Sequence, residues 1–271
     1  MELVDALGCS HQAADLAATR IVSLVPSITE LLCELGLTSL LVGRTGFCIH
    51  PRAAVAGIAK VGGTKDVNVE KIRKLKPTHV IVNIDENEKP TVDALAQFIP
   101  HVIVTHPLAP RDNLNLYRLL GGIFGAEESA ERLCVAFERA WSALPPRPPA
   151  SCKTVLYCIW KDPWMTVSRD TYIARMLELI GWRQWSAAEA IGDAARYPKF
   201  EWGNEVWGTI DAVLLSTEPY RFTQAHVAEL QRELNRPVRL VDGEMLSWYG
   251  SRAIRGLHYL RALATTAQPT E

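Results

Sequence analysis

The chain has 271 residues, of which 48% are hydrophobic and 22% charged, and its formal net charge is -1. This composition excludes a disordered chain. It also argues against nucleic acid as a partner, because no basic excess exists to displace counterions. No apolar run approaches the length of about 20 residues that crosses a bilayer, so no membrane insertion is expected. The length allows two modest domains, each with its own core.

The N-terminus and the cysteines bear on the compartment. Residues 1–19 contain neither Lys nor Arg and no continuous apolar core, so they do not resemble a secretory signal. As written, the chain is expected in the cytoplasm; if a leader has been removed, it is expected in the periplasm. The six cysteines show no CxxC and no zinc-like spacing, and Cys33 and Cys134 fall on apolar helix faces, which is typical of reduced thiols.

The first half is predicted to alternate strands and helices. Leu3–Gly8 is predicted as a short edge strand or a loosely held segment. The apolar run 20–25 predicts a buried strand, after which Ser27 and Glu30 fit a capping box and Gly36 fits the residue just past the helix end. Further strands are predicted at 40–43, 79–84 and 101–105, and further helices at 68–75 and 90–98.

The second half repeats this pattern. Asp170 is predicted to cap a helix that Gly181 closes, which reproduces the spacing of the helix ending at Gly36. Strands are predicted at 154–159, 211–216 and 237–241, and a final helix runs from about 249 to 263.

Between the halves lies a long amphipathic helix, residues 125–144. Its apolar residues recur at helical spacing, acids crowd its first turn, and the sequence PPRPP at 145–149 cannot continue it. Gly121, Gly122 and Gly125 are predicted to break this helix from the one before it. The predicted domains are an N-terminal lobe (1–124), a connecting helix with a Pro-rich link (125–149) and a C-terminal lobe (150–271). The fold class is α/β: two Rossmann-like lobes with parallel sheets joined by one backbone helix.

Ligands of open parallel sheets bind beyond the carboxyl ends of the strands. If the two lobes face each other, their loops line one cleft. The loops concerned are 26–27, 44–51, 62–66, 83–88, 160–169, 192–202, 217–222 and 242–250.

Aromatic residues distinguish the second lobe, because seven of the eight tryptophans lie from residue 160 onward. Trp164 and Trp248 stand in polar loops and are predicted as ligand platforms, with core filling as the alternative. Trp182, Trp185 and Trp207 are predicted to be core. The other aromatic residues in or near these loops are Trp160, Trp202, Tyr197, Tyr220 and Tyr249.

Several polar residues are candidate ligand contacts. Arg169 and Arg221 could bind an anionic or carbonyl group, or instead pair with nearby acids. Ser27 either caps its helix or leaves a helix start open to a ligand oxygen. The remaining candidates are Lys65, Asn83, Glu86 and Asp242, while Asp85 and Glu88 are typical of a solvated loop.

No catalytic pattern is recognised in the sequence. Cys48 and His50 are two residues apart in a loop, which is weak evidence for a thiol–imidazole pair. GxSxG, P-loop, HExxH and strand-linked GxGxxG motifs are all absent. The histidines have no metal-ligand spacing, so no metal site is predicted. We therefore expect a protein that is not an enzyme.

Four segments of the chain form a familiar set: RIVSLVPSITELLCELG, VGRTGFCIHP, VNVEKIRKLKPTHVIV and PWMTVSRDTYIARMLELIGW. They resemble the cobalamin (vitamin B12) substrate-binding proteins of ABC importers, members of the helical-backbone class of periplasmic binding proteins. The likeness covers about residues 3–264.

The resemblance implies two lobes on a rigid helix, small hinge motion, and one ligand between the lobes. Pro26, Ser27, Phe47, Trp164 and the Trp248 region would line the cleft. Phe47 stands in place of a tyrosine, and Thr64 and Asn83 stand in place of tryptophans, so two stacking surfaces are missing. One acid per lobe would contact the permease. Glu70 matches the first, and Glu244 lies near Ser247 at the second.

The leading hypothesis is a binding protein that captures a corrinoid or similar metal chelate for ABC-type uptake. It needs no intrinsic cofactor, its partners are the small-molecule ligand and an ABC permease, and it is expected to be a monomer. Two alternatives remain open at this point. One is a cytosolic enzyme or handling protein for tetrapyrroles or metal complexes, and the other is an interaction protein with a vestigial cleft.

Overall fold

The computed structural model describes residues 2–145, 153–186 and 196–265, with the side chains of 204 and 205 excepted. The chain divides into two compact units. The first, unit 1, comprises residues 1–107, 111–138 and 249–252. The second, unit 2, comprises residues 108–110, 139–248 and 253–271. Of the predicted segments, the Pro-rich link from residue 146 to 149 and residues 192–195 of one loop lie outside the described residues.

Unit 1 contains a five-stranded parallel sheet in the order β3-β2-β1-β4-β5. β1 and β4 are buried along their whole length, which explains their continuous apolar runs. The strands are β1 (Ile21–Ser23), β2 (Leu41–Arg44), β3 (Ala59–Lys60), β4 (His79–Asn83) and β5 (His101–Thr105). β3 was not predicted. The order reverses direction between β1 and β4, which makes that junction the topological switch point.

The helices predicted for unit 1 begin near their predicted positions, whereas those at residues 52–55 and 112–123 had no predicted bounds. The helices of unit 1 are α1 (Pro26–Glu34), α2 (Arg52–Val55), α3 (Val69–Lys74), α4 (Lys89–Ala96) and α5 (Asp112–Ile123), with a 3-10 turn at Thr38–Leu40. α6 (Glu127–Ser142) follows α5, and the boundary between the units falls within it, after Glu138. The predicted long helix is therefore confirmed with ends two residues shorter on each side.

Several local predictions for unit 1 are wrong. Ser27 does not cap α1, because the helix already begins at Pro26, a residue suited to the first helical position. Gly121 and Gly122 lie inside α5; only Gly125, with φ of +62°, breaks the two helices. Residues 3–8 form no strand but one bridge between Val4 and Ser10. The αL position of Gly36, φ +85°, is confirmed.

Unit 2 contains a second sheet in which β8, β6, β9 and β10 run parallel, while β7 pairs antiparallel with β6. The expectation of a purely parallel sheet therefore holds for four strands and fails for β7. The strands are β6 (Lys153–Trp160), β7 (Met165–Thr166), β8 (Trp182–Gln184), β9 (Ala212–Ser216) and β10 (Val238–Val241). β6 and β9 meet at the switch point of this sheet.

In unit 2 the structure corrects two predictions and contains helices that were not predicted. Thr171, not Asp170, caps the helix at the predicted place, and its hydroxyl accepts a hydrogen bond from Ala174 N. The predicted final helix is present and begins at Arg252, three residues later than predicted, and a short helix, Gly243–Ser247, precedes it in a segment that was predicted as a loop. The helices are α7 (Tyr172–Glu178), α8 (Asn204–Trp207), α9 (Gln224–Leu234), α10 (Gly243–Ser247) and α11 (Arg252–Thr265). Among the helices of the described ranges, none is long and apolar enough to cross a membrane.

Candidate functional site

The switch point of unit 1 lies between the carboxyl ends of β1 and β4, and α1 begins directly beside it. Pro26 occupies the first turn of α1. Ser27 is 3% exposed, and its hydroxyl oxygen is buried without a hydrogen bond from the described residues. Parallel strands bring the loops after β2, β3 and β4 to the same edge of this sheet. This edge is the part of unit 1 in which a ligand is expected.

The loop after β2 exposes one aromatic ring and buries the thiol beside it. Phe47 is 62% exposed, whereas Cys48 is fully buried with its sulfur 3.1 Å from Thr45 Oγ1. Burial raises the pKa of the Cys48 thiol above its usual value, which opposes the thiolate that a nucleophile needs. The geometry therefore does not support the Cys48–His50 enzyme hypothesis.

The turn at residues 84–88, after β4, makes specific contacts with other segments of unit 1. Asp85 Oδ2 lies 3.4 Å from His106 Nε2. Glu86 Oε1 accepts a hydrogen bond of 2.7 Å from the hydroxyl of Tyr249. Because Asp85 is part-buried and bonded, the prediction of a solvated loop is wrong for this residue. Glu86 is also part-buried and bonded, and Glu88 is exposed as predicted.

The other predicted polar residues of unit 1 differ in their exposure. Asn83 is buried, and its amide donates to Thr105 Oγ1 and accepts from Asp85 N. Lys65 is exposed in the loop after β3. Tyr249 is buried, and burial together with the neighbouring Glu86 carboxylate raises the pKa of its phenol well above the usual value. The phenol is therefore a proton donor to Glu86 at neutral pH.

The switch point of unit 2 is flanked by aromatic side chains. Trp160 ends β6, and Tyr220 follows β9; their rings meet edge to face with centroids 5.5 Å apart. The Tyr220 N–H donates to Ile159 O at 3.2 Å, which fixes the two segments together. Trp160 is 40% exposed, so its ring remains accessible.

Trp164 and Trp202 stand in the same aromatic cluster. The Trp164 ring stacks on Phe222 at 5.8 Å and meets Trp202 edge to face at 5.3 Å. Trp164 and Trp202 are half-buried, and the indole nitrogen of Trp202 is buried without a partner among the described residues. Phe200 packs against both Trp164 and Trp202. Sequence reasoning missed Phe200 and Phe222. The signal that could have identified them is that they are aromatic, like the residues predicted nearby.

The remaining candidates of unit 2 are largely bonded within the unit. Arg169 Nε donates to Gln184 O at 2.9 Å, whereas Arg221 is exposed. Asp242 caps α10 by accepting from Met245 N. Trp248 is 9% exposed, and its indole N–H donates to Glu218 Oε2 at 3.1 Å. The ring of Trp248 is thus held inside unit 2, and its role as a stacking platform stays a prediction.

The predicted permease contacts differ in environment. Glu70 is exposed in the first turn of α3, where its carboxylate lies 3.5 Å from Arg73 Nε. Glu244 is half-buried at a cavity of about 470 Å³ that it lines together with Glu218 and Asp242. In the part of the chain that the structure describes, no grouping of His, Cys, Asp and Glu could hold a metal ion.

The structure therefore brings the predicted residues together in two sets. Glu86 and Tyr249 meet in unit 1, and Trp160, Trp164, Trp202 and Tyr220 meet in unit 2. Trp182 and Trp185 are core, as predicted, whereas Trp207 is 40% exposed and the prediction is wrong there. Sequence reasoning also missed Asn87, because nothing distinguishes it from an ordinary turn asparagine.

Each unit contains an open α/β sheet with candidate ligand contacts at its switch point. This arrangement is typical of ligand-binding proteins. The family model described as periplasmic binding protein matches residues 21–232, and the chain belongs to this family. The family is one of binding proteins and not of enzymes, as predicted.

Comparison with individual proteins agrees with this assignment. The chain is 29% identical over 170 residues to YvrC of Bacillus subtilis (strain 168), named as an uncharacterized ABC transporter substrate-binding lipoprotein; the match covers 59% of this chain and 53% of YvrC, about half the length of that protein.

Two solved structures from Vibrio cholerae share the fold. The periplasmic vitamin B12 binding protein BtuF is 18% identical with a TM-score of 0.73, covering 93% of this chain and 98% of that one. The periplasmic heme binding protein HutB is 21% identical with a TM-score of 0.73, covering 93% of this chain and 99% of that one.

Proposed function

We propose that this protein captures a corrinoid, such as cobalamin, or a related metal-chelate ligand for ABC-type uptake. The observation that carries the proposal is the aromatic cluster at the switch point of unit 2, where Trp160 and Tyr220 flank the junction of β6 and β9. Large planar ligands are bound by aromatic faces, with a few polar groups fixing their orientation.

The contacts proposed for unit 2 follow from exposure. Trp160 has an accessible ring, and Trp164 has a half-buried ring that stacks on Phe222. Arg221 is exposed beside Tyr220, where its guanidinium can donate to an amide or carboxylate oxygen at the ligand's edge. Arg169 and Trp248, whose polar atoms bond within the unit, support the loops around these residues.

The candidate ligand contacts of unit 1 include fewer aromatic groups than those of unit 2. Phe47 is its most exposed ring, and Lys65 and Glu86 supply charge on neighbouring loops. Thr64 and Asn83 provide no stacking surface, and Asn83 is committed to bonds within the unit. We therefore expect a ligand that stacks mainly on unit 2.

Ligand identity is tested by direct titration. Dicyanocobinamide, cyanocobalamin and haemin are added separately while tryptophan fluorescence is followed. The proposal expects saturable quenching by a corrinoid. Saturation by haemin alone would replace the corrinoid by a metalloporphyrin. A folded protein that responds to none of the three probes would reject the metal-chelate class.

The proposed site is tested with a matched pair of tryptophan variants. Trp160 and Trp207 are both 40% exposed in unit 2, but Trp207 lies on α8, away from the switch point. Trp160→Ala is expected to weaken binding of the saturating probe about fivefold or more, since stacking on an aromatic ring contributes about 1 kcal/mol or more. Trp207→Ala is expected to bind like the wild type, and equal effects of both variants would contradict the site.

An ABC permease is the proposed partner for uptake, with Glu70 and Glu244 as its contacts. The name of the YvrC relative and the exposure of Glu70 support this proposal. Charge reversal by Glu70→Lys is expected to leave ligand affinity unchanged and to abolish cross-linking to a permease in membranes. Glu128→Lys, at an exposed site on α6, is the control that should keep both properties.

A further inference from the structure

The turn at residues 84–88 directs three consecutive side chains towards three different segments of unit 1. Asp85 faces His106, Glu86 accepts from Tyr249, and Asn87 reaches the loops after β1 and β3. Asn87 is 6% exposed, although asparagine in a turn is usually solvated. A polar side chain buried at this position needs hydrogen-bond partners, and the structure supplies them.

Every polar atom of the Asn87 amide is used. Oδ1 accepts from the backbone N–H of Asn83 at 2.9 Å. Nδ2 donates to Leu24 O at 3.3 Å and to Thr64 O at 2.9 Å. The two carbonyl acceptors on one side and the single N–H donor on the other fix the orientation of the amide. A side chain without both a donor and an acceptor cannot make this set of bonds.

These bonds cross the switch point of the sheet. Leu24 follows β1, Thr64 lies in the loop after β3, and Asn83 ends β4. The loop after β3 is in turn joined to the loop after β2, because Gly46 N donates to Gly62 O at 2.7 Å. The Asn87 amide therefore lies at the centre of a bonded set of four loops. Two of those loops carry Phe47 and Lys65, and the turn itself carries Glu86.

We propose that Asn87 is a positioning residue for the ligand site: its amide holds the loop that carries Lys65 against the turn that carries Glu86. The ligand part of this inference rests on the proposed function, whereas the loop-holding part does not. Asn87 need not touch the ligand. Its contribution is to keep the contacting loops in their binding geometry before the ligand arrives, which lowers the ordering cost of binding.

The loop-holding part is tested by amide hydrogen exchange in the ligand-free protein, resolved by NMR. Asn87→Ala removes all three bonds, whereas Asn87→Asp keeps the acceptor for Asn83 N and loses both donors. Exchange at Gly46 and Gly63 is expected to accelerate at least tenfold in both variants. Exchange at Asn83 is expected to accelerate only in Asn87→Ala. Asn68→Asp is the control, because its carboxylate can still cap α3 at the end of the same loop.

If Asn87→Asp does not fold, Asn87→Ala alone decides, since it buries no charge. Wild-type exchange rates at Gly46 and Gly63 in a folded Asn87→Ala variant would overturn the proposal.

The ligand part is tested with dicyanocobinamide, cyanocobalamin and haemin on the same variants. A loss of about tenfold in affinity is expected for Asn87→Ala, in the range found when groups that orient binding residues are removed. Unchanged affinity in a variant whose loop exchange is accelerated would overturn the positioning role. If the wild type binds none of the three probes, the proposed function fails, while the exchange data still decide whether Asn87 holds the loops.

Discussion

At the scale of single residues, buried polar groups bond distant segments of unit 1 to one another. Glu30 lies in the middle of α1, where its carboxylate accepts two hydrogen bonds from Arg252, at 2.8 Å and 2.7 Å. Arg252 is 3% exposed, so this fork-shaped pair is shielded from solvent. Tyr117 and Asn113 bond the Gly250 backbone close by. Together these groups hold residues 249–252 in unit 1.

Removing one partner of this pair is expected to be costly. Arg252→Ala leaves the Glu30 carboxylate buried and unpaired, so the free energy of unfolding should fall by about 3–5 kcal/mol in urea denaturation. The double variant Glu30→Met with Arg252→Met should recover most of the loss, because no charge is left buried.

Arg132→Ala serves as a control for this prediction, since Arg132 lies 3.8 Å from an exposed Glu128. Its effect should stay within about 0.5 kcal/mol. An Arg252→Ala variant as stable as the Arg132→Ala variant would show that the buried pair contributes little.

A second residue-scale property is the lowered pKa of His79, which makes the stability of the folded protein sensitive to acid. Burial, then the nearby His101 and His11, lower the pKa of His79 to about 4 from the usual 6.5. The ring stacks on His101, meets Phe124 edge to face, and bonds Thr78 Oγ1. Between these two pKa values the unfolded chain binds more protons than the folded one, so stability is present above pH 6.5 and is lost as the pH falls towards 4.

Lowering the pH from 7 to 5 should therefore cost about 2 kcal/mol of unfolding free energy through this group. Urea denaturation at both pH values measures it. His79→Gln should lose this pH dependence, whereas His258→Gln, at an exposed site, should keep it. A wild-type stability that does not change between pH 7 and pH 5 would contradict the prediction.

At the scale of elements, close packing explains why two glycines sit inside a helix. A Cβ at Gly121 in α5 would lie 2.6 Å from Ala130 Cβ in α6, and one at Gly122 would lie 2.5 Å from Leu3 Cδ2. Glycine is found here despite its low helix propensity, because neighbouring segments approach α5 so closely that a side chain at these positions would clash. The break between α5 and α6 is instead made by Gly125, which adopts positive φ.

Gly121→Ala should consequently destabilise the protein even though alanine favours helix. The gain of about 1 kcal/mol in propensity is outweighed by overpacking of typically 1–3 kcal/mol, so a net fall in melting temperature is expected in calorimetry. Gly57→Ala is the matched control, because nothing lies within 4 Å of its added Cβ. A Gly121→Ala variant that melts above the wild type would show that α5 and α6 can separate at little cost.

At the scale of the whole molecule, ligand binding and stability are linked. A ligand that binds only the folded protein raises the free energy of unfolding by about 2.7 kcal/mol when its free concentration is a hundred times its Kd. The probe that saturates the fluorescence titration should therefore shift the urea transition of the wild type by this amount. Trp160→Ala should shift less at the same concentration, and a saturating probe without any shift would mean that its fluorescence effect is not specific binding.

The sequence by itself determined the alternation of elements and the family. Apolar runs marked β1, β4 and β9, because strands that are buried on both faces carry mainly apolar residues. Gly36 marked the end of α1, and the apolar stripe marked the extent of α6. Both signals are readable from the sequence because αL geometry and helical periodicity are local properties. Four segments, one of which contains Pro26 and Ser27, carried the family resemblance, which the family model supports.

Only the tertiary structure decided which polar residues are committed to the fold. Glu30 reads locally as a capping residue, but its partner Arg252 is 222 positions away. Asn87 reads as an ordinary turn residue, yet its amide bonds Leu24 and Thr64 because parallel strands bring distant loops to one edge. The sequence predicts Trp248 as a platform in a loop, and only the structure shows that its indole N–H donates to Glu218 within unit 2. Local sequence fixes backbone periodicity, whereas hydrogen-bond partners far apart in the chain are chosen only once the strands have paired.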